Sequence, residues 1–139
     1  MVRPDLGSED SRLRALGGAA IALVMGLSGS AALAQAGDVG RGQRLFNQQC
    51  RSCHTIDKGG ANSVGPNLHG LFGRKAGTAP GFAFSEPMIN SQIVWTDKTL
   101  ADYCADPRNV VLGTSMVFGG VKQMGPLADL VAYLKQATQ

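Results

Sequence analysis

Five consecutive residues, Cys50-Arg51-Ser52-Cys53-His54, carry the most specific chemistry in this chain. The spacing C-x-x-C-H suits covalent capture of a porphyrin. Each thiol can add across one vinyl group to form a thioether. Two cysteines three apart lie on one side of a helical turn, within reach of both vinyls. His54 is then carried over the ring face, where an imidazole nitrogen can bind iron from the proximal side. Two other chemistries also use C-x-x-C. A redox dithiol wants a preceding strand and a βαβ context, whereas the segment before Cys50 has a helical pattern. A zinc site wants a second ligand pair at similar spacing, and only His69 and Cys104 remain to supply one. The motif is therefore read as attachment of one c-type haem through Cys50 and Cys53, with His54 on the iron.

A second iron ligand is sought in Val110–Gly120, a short apolar loop punctuated by glycines with Met116 at its centre. A thioether is a soft, neutral donor that suits ferrous iron and raises its potential. Met88 follows Glu86-Pro87 and Met124 abuts the last helix, so neither sits in a comparable loop, and Met116 is expected as the distal ligand. Pro66, in Gly65-Pro66-Asn67-Leu68-His69-Gly70, offers a carbonyl on a rigid turn that can hold the far nitrogen of His54 and fix its tautomer. Leu68, Leu71 and Phe72 supply an apolar wall, and His69 in its glycine-flanked loop is expected to be exposed. Trp95 and Tyr103 are expected in the core with their N–H and O–H partnered, the partners near a haem being a propionate and the axial-ligand region. Cys104, the odd cysteine, shares an apolar face with Leu100 and Tyr103 and reads as a small buried hydrophobe.

These groups need elements to position them. Asp38 to Cys50 has the spacing of a first helix, capped by Asp38 and with Val39, Gly42, Leu45 and Phe46 on one face. Thr96 caps a second clear helix that Pro107 ends. The final helix has Pro126 in its first turn and Leu127, Leu130, Val131 and Leu134 at helical spacing, with Tyr133 beside them. Its apolar face is expected to cross the first helix closely at Gly42 and Phe46. Residues 59–81 hold seven glycines, a long loop expected to wrap something. No alternation typical of strands runs for a useful length, so the fold class is all-α.

Residues 1–36 read as an export signal: Arg12 and Arg14, an uncharged run from Ala15 to Ala34, and Ala34-Gln35-Ala36 as an A-x-A cleavage site. The alternative is a retained anchor, since the run approaches transmembrane length. Its glycines and serines make a poor spanning helix. Residues 37–139 then form one domain of 103 residues, which buries only about 60–65% of its unfolded surface. The leader holds three arginines and three acidic residues, so the remaining chain keeps the net charge of +3. Two haem propionates would lower that to about +1. No basic run or aromatic-interleaved basic stripe is present, which argues against nucleic acid as a partner.

From Gly37 to its end the chain resembles class I cytochrome c of the mitochondrial and bacterial periplasmic type. The resemblance rests on C-R-S-C-H, G-P-N-L-H-G-L-F-G-R, G-T-S-M-V-F and A-D-L-V-A-Y-L-K. It implies three to five helices with long loops wrapped around one covalent haem c. It also implies Cys50 and Cys53 as thioether anchors, His54 and Met116 as iron ligands, and Pro66 as the carbonyl holding His54. Arg74 and Trp95 would meet a propionate, Tyr103 would lie near the Met116 sulfur, and Phe118 would shield the haem edge. Departures are Leu112 where a proline is common, Phe84 where a tyrosine is common, and Cys104 in place of an aliphatic residue. Gln49, Ser63 and Ser115 stand where lysines are expected, while Arg44, Arg108 and Lys122 keep positive charge.

The expected function is that of a soluble, monomeric, periplasmic one-electron carrier rather than an enzyme. Its donor would be a quinol-oxidising cytochrome complex. Its acceptor would be a terminal oxidase, a peroxidase or a photosynthetic reaction centre. The alternatives are a peroxidase or gas-binding protein in which Met116 leaves the iron, and a membrane-tethered subunit of a respiratory complex.

Overall fold

In the computed structural model, which describes residues 36–139, the chain enters its first helix at Asp38. The expected leader, 1–36, lies outside the described residues save for Ala36. The Asp38 side chain accepts from the Arg41 N–H at 2.7 Å, satisfying one of the unpaired donors at the start of α1, Val39–Gln49. The C-x-x-C-H motif lies just beyond this helix rather than on it. Cys50 N–H donates to the Phe46 carbonyl, and Cys53 N–H and His54 N–H both donate to the Cys50 carbonyl at 3.0 Å. The two cysteines are thus brought together by a tight turn, not by a continuing helix.

The remaining helices are α2, Glu86–Asn90; α3, Asp97–Ala105; α4, Pro107–Val110; and α5, Met124–Ala137. α3 opens with a capping box in which Thr96 and Thr99 each serve the other's backbone N–H. Pro107 cannot donate a backbone bond and heads α4 instead, so α3 and α4 meet at Asp106. Among the described residues the sole β pairing is one isolated bridge, Lys75 with Val94. The fold is all-α, with long loops between its helices.

α1 crosses α5 at Gly42. A Cβ there would collide with the Asp129 carbonyl and lie 2.7 Å from the Tyr133 Cβ, so only glycine allows this approach. Phe46 and Leu130 are almost fully buried beside the crossing, and the Phe46 and Tyr133 rings tilt against each other at 5.6 Å. Asp129, buried to 5% exposure, locks the same junction. It accepts from Asp38 N–H at 2.6 Å and from the Arg41 guanidinium at 2.7 and 3.1 Å. The Arg41 hydrogen bond is the chief reason that its carboxyl is held below the usual carboxylate range, with the Asp38 N–H assisting.

α3 rests on α5, where Lys135 pairs with Asp97 at 2.7 Å. The chain's end is tied down as well: Thr138 is buried, its hydroxyl donates to the Leu134 carbonyl at 2.8 Å, and its own carbonyl accepts from Gly70 N–H. That bond joins the end of α5 to the 59–81 loop. The loop is pinned elsewhere by Asn67, whose side-chain amide donates to Thr55 Oγ1 at 2.6 Å and to the Asp57 carbonyl at 3.0 Å.

Two outcomes are expected. Gly42→Ala forces α1 and α5 apart and lowers stability by about 3 kcal/mol in guanidinium unfolding, as overpacking at a tight contact does; an unchanged midpoint would rule out the backbone crossing. A carboxylate held ionised by folding stabilises fully above the usual carboxylate range, about pH 4, and that stabilisation is lost as pH falls through its lower folded value. Asp129→Asn is therefore expected to be less stable at neutral pH and to show a flatter stability–pH curve below pH 4, measured by unfolding across that window.

Candidate functional site

The helices do not pack to a solid core. They enclose an apolar cavity with about 1300 Å³ of empty space, counting its open mouth. One wall is the end of α1 and the turn that follows, with Cys50, Cys53 and His54. The loop carrying Gly65, Pro66 and Leu68 adds a second, and the segment from Arg74 to Met88 a third. Trp95, Leu100, Tyr103 and Cys104, the 115–118 loop, and Leu130 and Leu134 of α5 complete the lining. All nine residues singled out in the sequence, Cys50, Cys53, His54, Pro66, Arg74, Trp95, Tyr103, Met116 and Phe118, line this one cavity.

His54 is positioned on two sides. Its Nδ1 lies 2.8 Å from the Pro66 carbonyl, to which it donates, leaving Nε2 as the ring's lone-pair nitrogen. Gly65 covers the ring so closely that a Cβ there would lie 2.7 and 2.8 Å from its two nitrogens. The Gly65 N–H in turn donates to the Cys53 carbonyl at 2.8 Å, tying this cover to the cysteine turn. Burial lowers the imidazole pKa and the Pro66 bond opposes it only in part, so the ring is neutral and able to donate electrons to a metal.

Met116 sits in a loop that is held from behind. Its N–H donates to Thr114 Oγ1 at 3.3 Å, and the Thr114 hydroxyl shares a 2.7 Å bond with the Tyr103 hydroxyl. Tyr103 is buried on α3 with its ring 5.3 Å from that of Trp95. The Tyr103 hydroxyl is thus engaged by Thr114, two residues before the methionine. Arg74, half-buried, donates to the His69 carbonyl at 2.9 Å and to the Asn67 carbonyl at 3.4 Å, which braces the loop over His54. His69 itself is half-buried rather than exposed.

Three residues of the site escaped sequence reasoning. Gly65 was visible only as half of a Gly-Pro turn. Met88 of α2 is buried and contributes to the cavity wall, although its place after Glu-Pro suggested no such role. Ser85, ahead of Glu86-Pro87, has the sequence look of a helix cap, yet it makes no cap bond. Its hydroxyl is the one buried side-chain polar atom left without a partner among the described residues, and it adjoins cavity-lining Phe84. A buried hydroxyl of this kind calls for a polar group not supplied by the described residues.

The donor set fits a haem. Two thiols and a neutral imidazole share the cavity with a thioether. The cavity is mostly apolar, and the orphaned hydroxyl beside it suits a propionate. Cys104 also lines the cavity, but burial pushes its thiol up to about 12, and it behaves as an apolar group. Burial likewise raises Cys50, to about 11, with Cys53 adding to the shift.

Comparison with known proteins decides the family. The Cytochrome c family model matches residues 39–138. The chain belongs to the cytochrome c family. A cytochrome c of Sesamum indicum is 47% identical over 102 residues, covering 73% of this chain and 92% of the relative. That of Chlamydomonas reinhardtii is 48% identical over 105 residues, covering 76% and 94%. One from Gibberella zeae is 43% identical over 103 residues, covering 74% and 97%. Cytochromes c are electron-transfer proteins rather than enzymes, and this member carries haem c attached through Cys50 and Cys53.

The relatives also correct the periplasmic localisation expected from residues 1–36. They come from a flowering plant, a green alga and a fungus, and these relatives are eukaryotic cytochromes c of the mitochondrial type rather than bacterial periplasmic ones. The expectation rested on residues 1–36 alone, which lie outside the 39–138 span that the family model matches.

Proposed function

We propose that this cytochrome c is a single-electron shuttle with His54 and Met116 as the two iron ligands, Pro66 fixing the His54 tautomer and Phe118 closing the haem edge. Its donor is a quinol-oxidising cytochrome complex and its acceptor a terminal oxidase, peroxidase or photosynthetic reaction centre. The observation that carries the reading is the convergence of Cys50, Cys53, His54 and Met116, from segments over sixty residues apart, on one apolar cavity. Haem, when bound, supplies an iron that moves between ferrous and ferric states.

The residues of this chain do the rest. Cys50 and Cys53 anchor two edges of the ring from one turn. His54 holds its only proton on Nδ1 against Pro66, so Nε2 remains available. Met116 offers a neutral sulfur and takes up no proton, which suits a change of one electron without a change of protonation. Arg74 and Trp95, both on the cavity lining, would provide for the propionates. Phe46, Leu100 and Leu130, buried on the lining, would exclude water from the haem, which favours the less charged ferrous site.

The rival reading, a gas-binding or peroxidatic iron with Met116 released, depends on a loose methionine loop. Leu112 is 85% exposed and gives the loop no packing. The Thr114–Tyr103 bond holds it instead, which favours the closed state.

Residues 37–139 are proposed as the working unit, with 1–36 removed. Gly37 packs against the α5 backbone and Asp38 N–H is consumed by Asp129, which supports a working unit that includes both residues.

Two measurements test this. The ferric holoprotein is expected to show a weak methionine–iron charge-transfer band at the red end of its spectrum. It should vanish in Met116→Ala and persist in Met88→Ala, whose thioether shares the cavity. A high-spin spectrum without the band would favour the released-methionine reading. The intact mass of holoprotein from its own cell should match a chain starting at Gly37 plus one haem; a retained leader would point to the tethered form.

A further inference from the structure

The α1–α5 clamp is short of positive charge where the chain enters it. Asp38 and Asp129 bring two carboxylates to the crossing, and among the described residues Arg41 is the one cation within ion-pair distance of either. Arg44 bears on Asp129 only at longer range, since no ion pair joins them. Asp129 is buried, so water does little to screen the imbalance.

Gly37 stands at the same place. A Cβ there would overlap the Ala128 carbonyl and lie 2.7 Å from the Asp129 nitrogen, so the residue lies flat against the α5 backbone. The next N–H, that of Asp38, donates to Asp129 Oδ1 at 2.6 Å. Three covalent bonds separate the Gly37 and Asp38 nitrogens, which puts the Gly37 nitrogen within roughly 6 Å of that carboxylate oxygen. Among the described residues the Gly37 nitrogen makes no hydrogen bond. In a chain that continues back to Ala36 this nitrogen is a neutral amide. In a chain that starts at Gly37 it is an ammonium at neutral pH.

We propose that the α-ammonium of Gly37, created by leader removal, is the missing cation of this cluster, pairing with Asp129 and Asp38 and tightening the α1–α5 crossing. The inference rests on the proposed start at Gly37 and gives that start a structural role. Hydrolysis of the Ala36–Gly37 amide adds one water. The carboxylate leaves with the leader and the ammonium stays on Gly37, so one cleavage supplies one positive charge. The charged groups facing it are Asp38, Arg41 and Arg44 from α1 and its cap, and Asp129 from α5. Two carboxylates against one contacting guanidinium leave an attraction for a second cation. Glycine suits the position because no side chain keeps the amine off the helix. Since α1 leads into the cysteine turn, processing also firms the wall that carries Cys50, Cys53 and His54.

The test compares two holoproteins, one starting at Gly37 and one at Ala34, each made behind a removable initiator methionine and verified by intact mass. Thermal unfolding of both is followed in fixed urea from pH 6 to pH 10. An amine beside carboxylates titrates above its usual value of about 7.7–8.0, so its stabilisation is complete below about pH 8 and is lost as pH rises through the higher folded value. The Gly37 form is expected to melt about 4 °C higher at pH 6, with the gap closing by pH 10. Asp129→Asn in both forms is expected to reduce the gap at pH 6 to under about 1 °C. Proton NMR of the Gly37 Hα signals in the reduced Gly37 form is expected to show the amine titrating above its usual range. Equal melting at pH 6 would overturn the proposal. So would a gap that persists at pH 10, which added residues alone would produce, or an amine that titrates at its ordinary value. Where Asp129→Asn fails to keep the haem spectrum, the NMR titration of the unsubstituted protein decides. The start used in the protein's own cell is read separately by intact mass. A different start there counts against the leader reading, while the two holoproteins still judge the ion pair.

Discussion

Everything in this structure depends on how closely α1 can approach α5. The two helices meet backbone to backbone at Gly42, and that approach brings the end of α1 over the apolar face of α5. Because the cysteine turn follows α1 directly, the crossing also sets where Cys50 and Cys53 stand relative to Leu130 and Leu134 on the cavity floor. Phe46 and Tyr133 fill the angle between the helices, and Asp129 closes its open end by gathering Asp38 and Arg41. A domain this small buries too little surface to hold a hollow interior without such a clamp. The covalent haem then supplies the apolar bulk that the chain's own side chains leave out.

The loops solve a different problem. They are long and rich in glycine, and each must present one atom at a fixed place. The solution is a second layer of hydrogen bonds. Pro66 holds His54, while Gly65 lies on the ring and is itself bonded to Cys53. Thr114 holds the Met116 backbone and is bonded in turn to Tyr103 on α3, a helix with a reciprocal cap. Arg74 spans the carbonyls of Asn67 and His69. With His54 and Met116 as the proposed ligands, their positions are borrowed from helices through two or three bonds, which is how a loop can position a ligand without being rigid itself.

What could be read from the sequence follows the range of each interaction. Helix periodicity, the Asp38 and Thr96 caps and the break at Pro107 are local, and they appear where their residues predict. The C-x-x-C-H motif is local too, although its cysteines are joined by a turn rather than by the helix its spacing permits. Met88 on the cavity wall and the buried Ser85 hydroxyl were hidden because burial is a property of the folded chain. In sequence, a serine before Glu-Pro looks like a cap, and a methionine in a five-residue helix looks like filler. The His69 environment depends on Arg74 reaching back across the loop, which no spacing rule describes. Cellular address was the least legible, since it was read from residues 1–36 alone, outside the span that the family model matches.

The three thiols show how this fold separates chemistry from packing. All of them line one cavity, and both Cys50 and Cys104 are raised by burial. Side-chain type alone would therefore not choose between them. Backbone context does. Cys50 and Cys53 sit on a turn whose donors converge on a single carbonyl, with His54 immediately following, so their sulfurs and the imidazole are fixed relative to one another. Cys104 stands alone on α3 among Leu100, Tyr103 and Trp95, with no second thiol on its own element and no neighbouring base. Its thiol, pushed to about 12, is essentially protonated at neutral pH and has little nucleophilic character. A residue that could compete for the haem is thereby held as part of the wall, and attachment is directed by the turn at the end of α1.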